Sequence, residues 1–325
     1  MKVCVFGAGA VGGHVATRLL GAKSAEVSVV ARGAALTAMR SRGLTLRYDG
    51  KEEIRVRVPL ATDDPSILPP QDYVVVTLKA PALPGVAETI ARLLKPDGCA
   101  VFLTNGIPWW WPQGTGRPGP LQRLDPDGAL WSKLRTRTLG CVVYSPNEPI
   151  EPGVILHRGP NRWLIGEPDD TVTPRLARIV DLFNAAGLRA EASTNIRREI
   201  WLKLVRNASN NTLSALIRRP LAEASGDPEV RRIAAGLIRE TLDVGAALGY
   251  DIRAEVNVEE MTARAELKGG PRSSMLQDAL QGRAMEVDAL LGQTQDYARE
   301  LGVPVPTIDV ILPLLRALDE STRAS

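Results

Sequence analysis

The chain has 325 residues, more than one ordinary hydrophobic core holds, so its length predicts two domains. With 44% hydrophobic and 24% charged residues and a net charge of +3, it has the composition of a soluble globular protein and does not call for a nucleic-acid partner. No apolar run is long enough for a membrane span and no signal peptide is recognisable, so we expect a cytoplasmic protein. The three isolated cysteines predict buried thiols, and no metal-ligand spacing occurs.

The first thirteen residues predict a strand, a glycine turn and a helix. An apolar run over 2–6 is followed at once by glycines at 7, 9 and 12. The first glycine would allow the tight turn, the second would let a pyrophosphate approach the backbone, and the third would let helix and strand pack closely. The helix N-terminus then offers free N–H groups to the phosphates. We therefore predict a dinucleotide site formed by Gly7, Ala8, Gly9, Ala10, Val11 and Gly12.

The second predicted strand, 26–31, ends in Arg32. In an NAD site, an acidic residue near this position accepts a hydrogen bond from the ribose 2′-hydroxyl. An acidic side chain would repel a 2′-phosphate, whereas a guanidinium pairs with it through charge-assisted hydrogen bonds. Arg32 therefore predicts NADPH as the cofactor, although an ordinary surface arginine is the alternative.

Two further apolar runs, 72–78 and 98–103, predict buried strands, and 84–94 between them has helical spacing. Together with the first two strands, this alternation predicts a doubly wound parallel sheet of the Rossmann type. Lys79 and Asn105 follow these strands directly. Because ligands of open α/β sheets bind beyond the carboxyl ends of the strands, both residues are expected at the edge of the cofactor site.

The pattern changes near residue 195. Residues 139–166 predict β-rich pieces with turns, Thr173 and Pro174 predict the start of a helix to 186, and 190–193 predicts a last short strand. Helical periodicity dominates afterwards, over 196–217, 228–248, 254–265, 282–301 and 307–318. We therefore expect an N-terminal Rossmann-like domain over 1–194 and an all-helical substrate domain over 195–325.

The helix over 196–217 carries Glu199, Lys203, Asn207 and Asn211 at intervals of four. Residues at this spacing form one ridge on a helix. The ridge is either an ordinary solvated face with a Glu199–Lys203 pair or a functional surface. Two asparagines in line weaken the first interpretation, because asparagine has poor helix propensity.

A second polar segment lies further on. Ser274 and Asp278 are interpreted as a serine cap and the polar face of a short helix. Glu286 stands between Met285 and Val287 within the helix predicted over 282–301, where a lone glutamate is usually solvated.

These residues resemble the ketopantoate reductase (2-dehydropantoate 2-reductase) family over nearly the whole chain. The resemblance rests on the glycine turn, Arg32, 77–80, Asn105 with Gly106, 195–211, and 274–278 with Glu286. It implies NADPH-dependent reduction of ketopantoate to pantoate, a step of pantothenate biosynthesis. The exact 2-keto acid stays open, because the family includes paralogues.

The resemblance also implies roles for individual residues. Lys203 corresponds to the general acid and Glu286 to the residue that holds the substrate oxygen. Asn207, Asn211 and Ser274 correspond to substrate-binding residues. Asn105 corresponds to a residue beside the nicotinamide, and Arg32 and Lys79 to residues at the phosphate end of NADPH. Partial burial of Lys203 beside the cofactor is expected to lower its pKa.

Two alternative functions are consistent with the same residues. The chain could be a paralogous NADPH-dependent reductase of another branched 2-keto acid, or a non-catalytic NADPH-binding sensor with a protein partner. His14 and His157 lie in predicted structural elements, so we interpret both as structural. The bulky segment Trp109–Trp111 either shapes a substrate pocket or lid, or forms a hydrophobic patch packed against the helical domain or a subunit partner. The helical domain and the tryptophans are compatible with a homodimer.

Overall fold

The computed structural model describes residues 1–48, 53–263 and 272–324. Its contacts divide the chain into two compact units. The first unit comprises Met1–Leu78, Ala82–Thr104 and Trp109–Ile196, and the second comprises Lys79–Pro81, Asn105–Pro108 and Arg197–Ser325. Two short segments that follow strands of the first half thus belong, by their contacts, to the second unit.

The described part of the first unit contains twelve strands and five α-helices. The strands are β1 Lys2–Phe6, β2 Glu26–Val30, β3 Leu44–Tyr48, β4 Ile54–Val56, β5 Leu60–Thr62, β6 Gln71–Val76, β7 Leu94–Phe102, β8 Thr138–Tyr144, β9 Asn147–Glu151, β10 Val154–His157, β11 Arg162–Gly166 and β12 Arg189–Ala192. The helices are α1 Ala10–Ala22, α2 Gly33–Arg42, α3 Ala87–Leu93, α4 Ala129–Leu134 and α5 Pro174–Ala185.

The main sheet has eight strands in the order β12-β11-β8-β7-β6-β1-β2-β5. Six strands that are neighbours in this order, β8, β7, β6, β1, β2 and β5, run parallel to one another, as the alternation of strand and helix predicts. The arrangement changes at β11, which pairs antiparallel with β8. The chain reaches β11 from β8 through two strands of another sheet and without a helix, whereas parallel neighbours are usually joined by a crossover helix. The α/β fold class itself is confirmed.

A second, four-stranded sheet has the order β4-β3-β10-β9 and packs on α1. The approach is close, because a Cβ atom added at Gly13 of α1 would lie 2.4 Å from Cδ1 of Ile155. The β-rich stretch 139–166 is confirmed, but it divides between the two sheets. Strands β3, β4 and β5 and helix α2 are absent from the sequence-based prediction. Strands β4 and β5 have three residues each and α2 is weakly amphipathic, so their hydrophobic periodicity is too little to be recognised. Strand β3 does alternate apolar and polar residues, and the prediction misses this signal.

Helix α5 begins as predicted. The side chain of Thr173 accepts a hydrogen bond from the backbone N–H of Leu176, and Pro174 occupies the first helical position. Both features satisfy the start of a helix, where N–H groups lack intrahelical partners. The buried face of α5 then packs into the core of the first unit through Leu176, Ile179 and Phe183.

The described part of the second unit is built on helices. They are α6 Ile196–Ile217, α7 Pro228–Ala247, α8 Val258–Ala263, α9 Ser274–Leu280, α10 Gln293–Leu301 and α11 Pro306–Ala324. The bounds of α6 are those predicted. The prediction for 254–265 is met by a 3₁₀ turn over Arg253–Glu255 and by α8, and residues 264 and 265 lie outside the described residues. No helix in the described ranges combines the length and hydrophobicity needed to cross a bilayer.

The helix predicted over 282–301 is wrong in its first part. Gly282 has a φ of +66°, and residues 283–286 are irregular. Their backbone groups bind side chains instead of one another: Nζ of Lys79 donates to the carbonyl oxygen of Ala284 at 2.9 Å, and the N–H of Met285 donates to Asp319 at 2.7 Å. A π-helical turn over Asp288–Gly292 then leads into α10.

Candidate active site

The glycine turn between β1 and α1 has the backbone that the motif predicts. Gly7 has a φ of +105°, which side chains rarely adopt. A Cβ atom at Gly12 would lie 2.0 Å from the carbonyl oxygen of Gly7, so only glycine fits there. Thr77, just after β6, donates from Oγ1 to that same oxygen at 2.7 Å. The turn is therefore fixed from the neighbouring strand.

The start of α1 is suited to an anionic group. A Cβ atom at Gly9, the N-cap residue, would meet no atom within 4 Å, so the backbone there faces open space. No side chain among the described residues caps this helix, and its first turn contains no acidic residue. The first N–H groups of a helix lack intrahelical partners and carry partial positive charge. The stretch from Gly7 to Gly12 thus fits the phosphates of a dinucleotide.

Arg32 lies directly after β2, as the N-cap residue of α2. Its side chain is exposed and makes no hydrogen bond or ion pair with the part of the chain that the structure describes. The guanidinium is therefore available to an anion from solvent. Its position in the fold, at the carboxyl end of the second strand, is the one that distinguishes the two nicotinamide cofactors.

Three of the predicted site residues meet in the second unit. Nζ of Lys203 donates to Oδ1 of Asn105 at 2.9 Å, and Nδ2 of Asn105 donates to Oε2 of Glu286 at 2.9 Å. The amide orientation follows from its two neighbours, because an ammonium only donates and a carboxylate only accepts. Asn105 therefore links the cation on α6 to the carboxylate before the π turn.

Glu286 is a buried carboxyl group with an exposed fraction of 8%. Burial raises its pKa above the ordinary value for glutamate, since a low-dielectric environment disfavours the charged form. Hydrogen bonds from Asn105 and from the backbone N–H of Ala80, at 3.3 Å, together with the charge of Lys79, oppose this rise. The carboxyl group is thus positioned by donors on both oxygens.

Lys79 is held beside this cluster by a residue that sequence reasoning did not place there. Its ammonium lies 2.6 Å from Oδ1 of Asp278, a buried carboxylate on α9 that also pairs with Arg283 at 3.0 Å. Asp278 was interpreted as an ordinary polar position of a short helix. Its near-complete burial between two cations is a long-range property that local sequence does not reveal.

The segment that carries Asn105 is anchored on the π turn. The N–H of Ile107 donates to the carbonyl oxygen of Ala289 at 2.8 Å, and Gly106 has a φ of +78°. A Cβ atom at Gly106 would lie 2.3 Å from the same Ala289 oxygen. The glycine therefore permits a contact that fixes Asn105 relative to Glu286, and π turns often occur at functional sites.

The three residues predicted to bind substrate are less closely joined. Asn207 is partly buried on α6, and Asn211 is 5% exposed and accepts a long hydrogen bond from Asn210 at 3.5 Å. Ser274 is exposed at the first position of α9. The interpretation of Ser274 as the helix cap is wrong, because the side chain of Ser273 accepts the hydrogen bond from the N–H of Leu276.

Both histidines are buried residues of the first unit. Nδ1 of His14 lies 2.8 Å from Oδ1 of Asn147, and the rings of His14 and His157 are tilted by 51° with their centroids 4.7 Å apart. Burial, and then the proximity of His157, lowers the pKa of His14 to about 3. His14 is thus a neutral residue of the core at physiological pH.

The tryptophans of the segment Trp109–Trp111 are buried within the first unit, each exposed by 2% or less. The ring of Trp109 makes an edge-to-face contact with Phe102 at 5.3 Å, and Trp110 packs where Gly140 lacks a side chain. Their burial leaves almost no indole surface for a subunit partner.

The three cysteines are free and buried, and burial raises the pKa of both Cys4 and Cys99 to about 12.

Comparison with known proteins defines the class of the protein. The family model described as "Ketopantoate reductase PanE/ApbA" matches residues 3–170, and the model of its C-terminal domain matches residues 195–319. The chain therefore belongs to the ketopantoate reductase family.

Individual relatives cover almost the entire chain. A 2-dehydropantoate 2-reductase, an oxidoreductase, from Mesorhizobium japonicum is 39% identical over 98% of both chains. A solved structure from Ralstonia solanacearum MolK2, described as a candidate ketopantoate reductase, is 39% identical, with a TM-score of 0.88 over 99% of this chain and 98% of that one. A PanE/ApbA-family structure from Ralstonia eutropha JMP134 is 28% identical, with a TM-score of 0.81 over 99% and 100%.

Proposed function

We propose that this protein reduces 2-dehydropantoate to pantoate with NADPH, with Lys203 as the general acid. The observation that carries the proposal is the hydrogen-bonded series Lys203–Asn105–Glu286 in a chain of this family. The 39% identity to a 2-dehydropantoate 2-reductase over nearly the full length supports the substrate.

The cofactor is assigned to the first unit. Gly7 to Gly12 and the N-terminus of α1 would hold its pyrophosphate, and Arg32 would pair with its 2′-phosphate. When bound, a nicotinamide cofactor supplies the hydride that adds to the keto carbon. The exposed guanidinium of Arg32 favours NADPH over NADH, because NADH has no phosphate at this position.

Lys203 has the chemistry that the other half of the reaction needs. Reduction places negative charge on the carbonyl oxygen, and an ammonium beside that oxygen stabilises the charge and donates the proton. The bond to Asn105 restricts the long lysine side chain and so lowers the entropic cost of orienting it. The deprotonated amine then regains its proton from solvent before the next turnover.

Glu286 orients the substrate in this proposal. Its carboxylate would accept a hydrogen bond from the hydroxyl group of pantoate. The N–H donors of Asn105 and Ala80 hold the carboxylate in place and stabilise its ionised form against the effect of burial. Asn207, Asn211 and Ser274 are assigned to the substrate, whose carboxylate they can bind without adding charge.

The decisive experiment is a rate measurement of NADPH oxidation with a panel of 2-keto acids. The proposal expects kcat/KM for ketopantoate to exceed that for unbranched and aromatic 2-keto acids by at least about tenfold, the discrimination available from one or two buried methyl groups. A higher value for another 2-keto acid would identify a paralogous reductase. NADPH binding without turnover of any substrate would identify a non-catalytic sensor instead.

A further inference from the structure

The first unit contains a cavity of about 670 Å³ that is distinct from the glycine turn. This volume is within the range of small-molecule sites. The cavity lies at the amino ends of the parallel strands, where Lys2, Glu26 and Gln71 begin β1, β2 and β6. Five residues of β1, about 17 Å of strand, separate it from the turn at the carboxyl end.

The cavity has an apolar wall and a cationic rim. The apolar part consists of Leu20, Ala25, Val27, Val56, Pro59, Leu60 and Pro69. The rim carries four cationic side chains, Lys2, Lys23, Arg55 and Arg57, against the single carboxylate of Glu26. Arg55 is paired with Glu53 at 2.7 Å. Lys2, Lys23 and Arg57 form no side-chain ion pair with the residues that the structure describes.

One buried acceptor in the cavity lining lacks a partner. Gln71 is 1% exposed, and its Nε2 donates to the carbonyl oxygen of Pro69. This bond fixes the amide orientation, because only the nitrogen can donate. Oε1 is then left with no hydrogen-bond partner within the described ranges. This oxygen is closed to solvent, so a molecule in the cavity does not reach it, and the cavity offers a ligand its apolar wall and its cations.

We propose that this cavity binds a small anionic molecule with an apolar body. The apolar wall would cover the body, and the anionic group would pair with Lys23 and Arg57 at the rim. The site is separate from the dinucleotide site and from the Lys203 cluster, so it provides a place for a second ligand.

Anilinonaphthalene sulfonate (ANS) has both an apolar body and an anionic group and is a suitable probe. It is titrated by fluorescence into the full-length chain with saturating NADPH present, which blocks adventitious binding at the dinucleotide site. N-phenylnaphthylamine, which lacks the sulfonate, serves as the uncharged comparison. We expect one saturable ANS site and weaker binding of the uncharged compound.

Two variants test whether ANS binds in this cavity. Gly21→Leu on the last turn of α1 would fill the cavity, since its Cβ atom would lie 3.4 Å from Cγ2 of Ile54, an ordinary contact, and leucine is the better helix former. This variant should weaken both compounds at least tenfold. The double variant Lys23→Gln/Arg57→Gln should weaken ANS about five- to tenfold and leave the uncharged compound unchanged.

The control is Arg189→Gln/Arg231→Gln, which removes two exposed cations outside the cavity lining. It should bind ANS like the wild type, and circular dichroism should verify that every variant is folded. The proposal is overturned if NADPH abolishes ANS binding, or if the Lys23/Arg57 variant binds ANS as tightly as the control. Neither result depends on turnover, so both are independent of the proposed reductase activity.

Discussion

The ammonium of Lys203 donates a 2.9 Å hydrogen bond to Oδ1 of Asn105, although 98 positions separate the two residues. The amide then donates to Glu286 at the same distance. A single asparagine therefore keeps a cation and a carboxylate apart while orienting both. Direct contact would neutralise the two groups, whereas the intervening amide leaves each of them able to bind a substrate atom.

Replacement of Lys203 by alanine should lower kcat by roughly 10²- to 10⁴-fold, the usual contribution of general acid catalysis. Steady-state rates of NADPH oxidation with ketopantoate measure the effect. Arg206→Ala is the matched control, since it removes an exposed cation from the same helix. A kcat for Lys203→Ala near that of the control would remove the lysine from the mechanism.

Asn105→Ala should lower kcat/KM by roughly ten- to a hundredfold, because the variant removes one of the two donors to the buried Glu286 and the acceptor for Lys203. It should also change the pH profile. The hydrogen bond from Asn105 lowers the pKa of Glu286, so its loss raises that pKa and moves the acid limb of kcat/KM to higher pH. Glu286→Gln, which cannot titrate, should lose this limb altogether. An unshifted limb in Asn105→Ala would mean that Glu286 does not control it.

Arg32→Asp should raise the KM for NADPH by roughly ten- to a hundredfold, the effect of losing charge-assisted bonds to a phosphate. The KM for NADH should change little, since that cofactor has no 2′-phosphate. Arg189→Asp, another exposed arginine of the first unit, controls for the general change in charge. Equal losses for both cofactors would exclude Arg32 from the phosphate site.

Local signals account for what the sequence predicts correctly. The glycine spacing predicts the turn at Gly7 and Gly12, and the four-residue periodicity predicts α6 with its observed bounds. Thr173 and Pro174 likewise mark the start of α5. Each of these features depends on residues within a few positions of one another, where propensity and capping decide the structure.

The errors arise where distant residues determine the local backbone. Lys79 binds the carbonyl oxygen of Ala284, 205 positions away, and Asp319 binds the N–H of Met285, so the predicted helix over 282–301 does not form at its start. The sequence likewise predicts only the polar face of a short helix for Asp278, because its partner Lys79 lies 199 positions earlier in the chain. Hydrophobic periodicity contains no information about such contacts.

Because His14 is buried, we expect the free energy of unfolding to decrease at acidic pH. His14 has a pKa of about 3 in the folded chain and about 6.5 when unfolded, because burial, His157 and Arg18 disfavour its charged form. Between these pH values only the unfolded state binds the proton, so the free energy of unfolding falls as the pH decreases from about 6.5 towards about 3. The expected slope is about 1.4 kcal/mol per pH unit, or about 2 kcal/mol lost by pH ~5.

Urea unfolding between about pH 7 and pH 5 measures this slope while most carboxyl groups stay ionised. His14→Gln removes the titration but retains a side chain that can hydrogen-bond to Asn147. Whatever its absolute stability, this variant should lose about 2 kcal/mol less than the wild type between about pH 7 and pH 5. Parallel pH dependences in the two proteins would contradict the depressed pKa of His14, because the proton taken up on unfolding would then come from elsewhere.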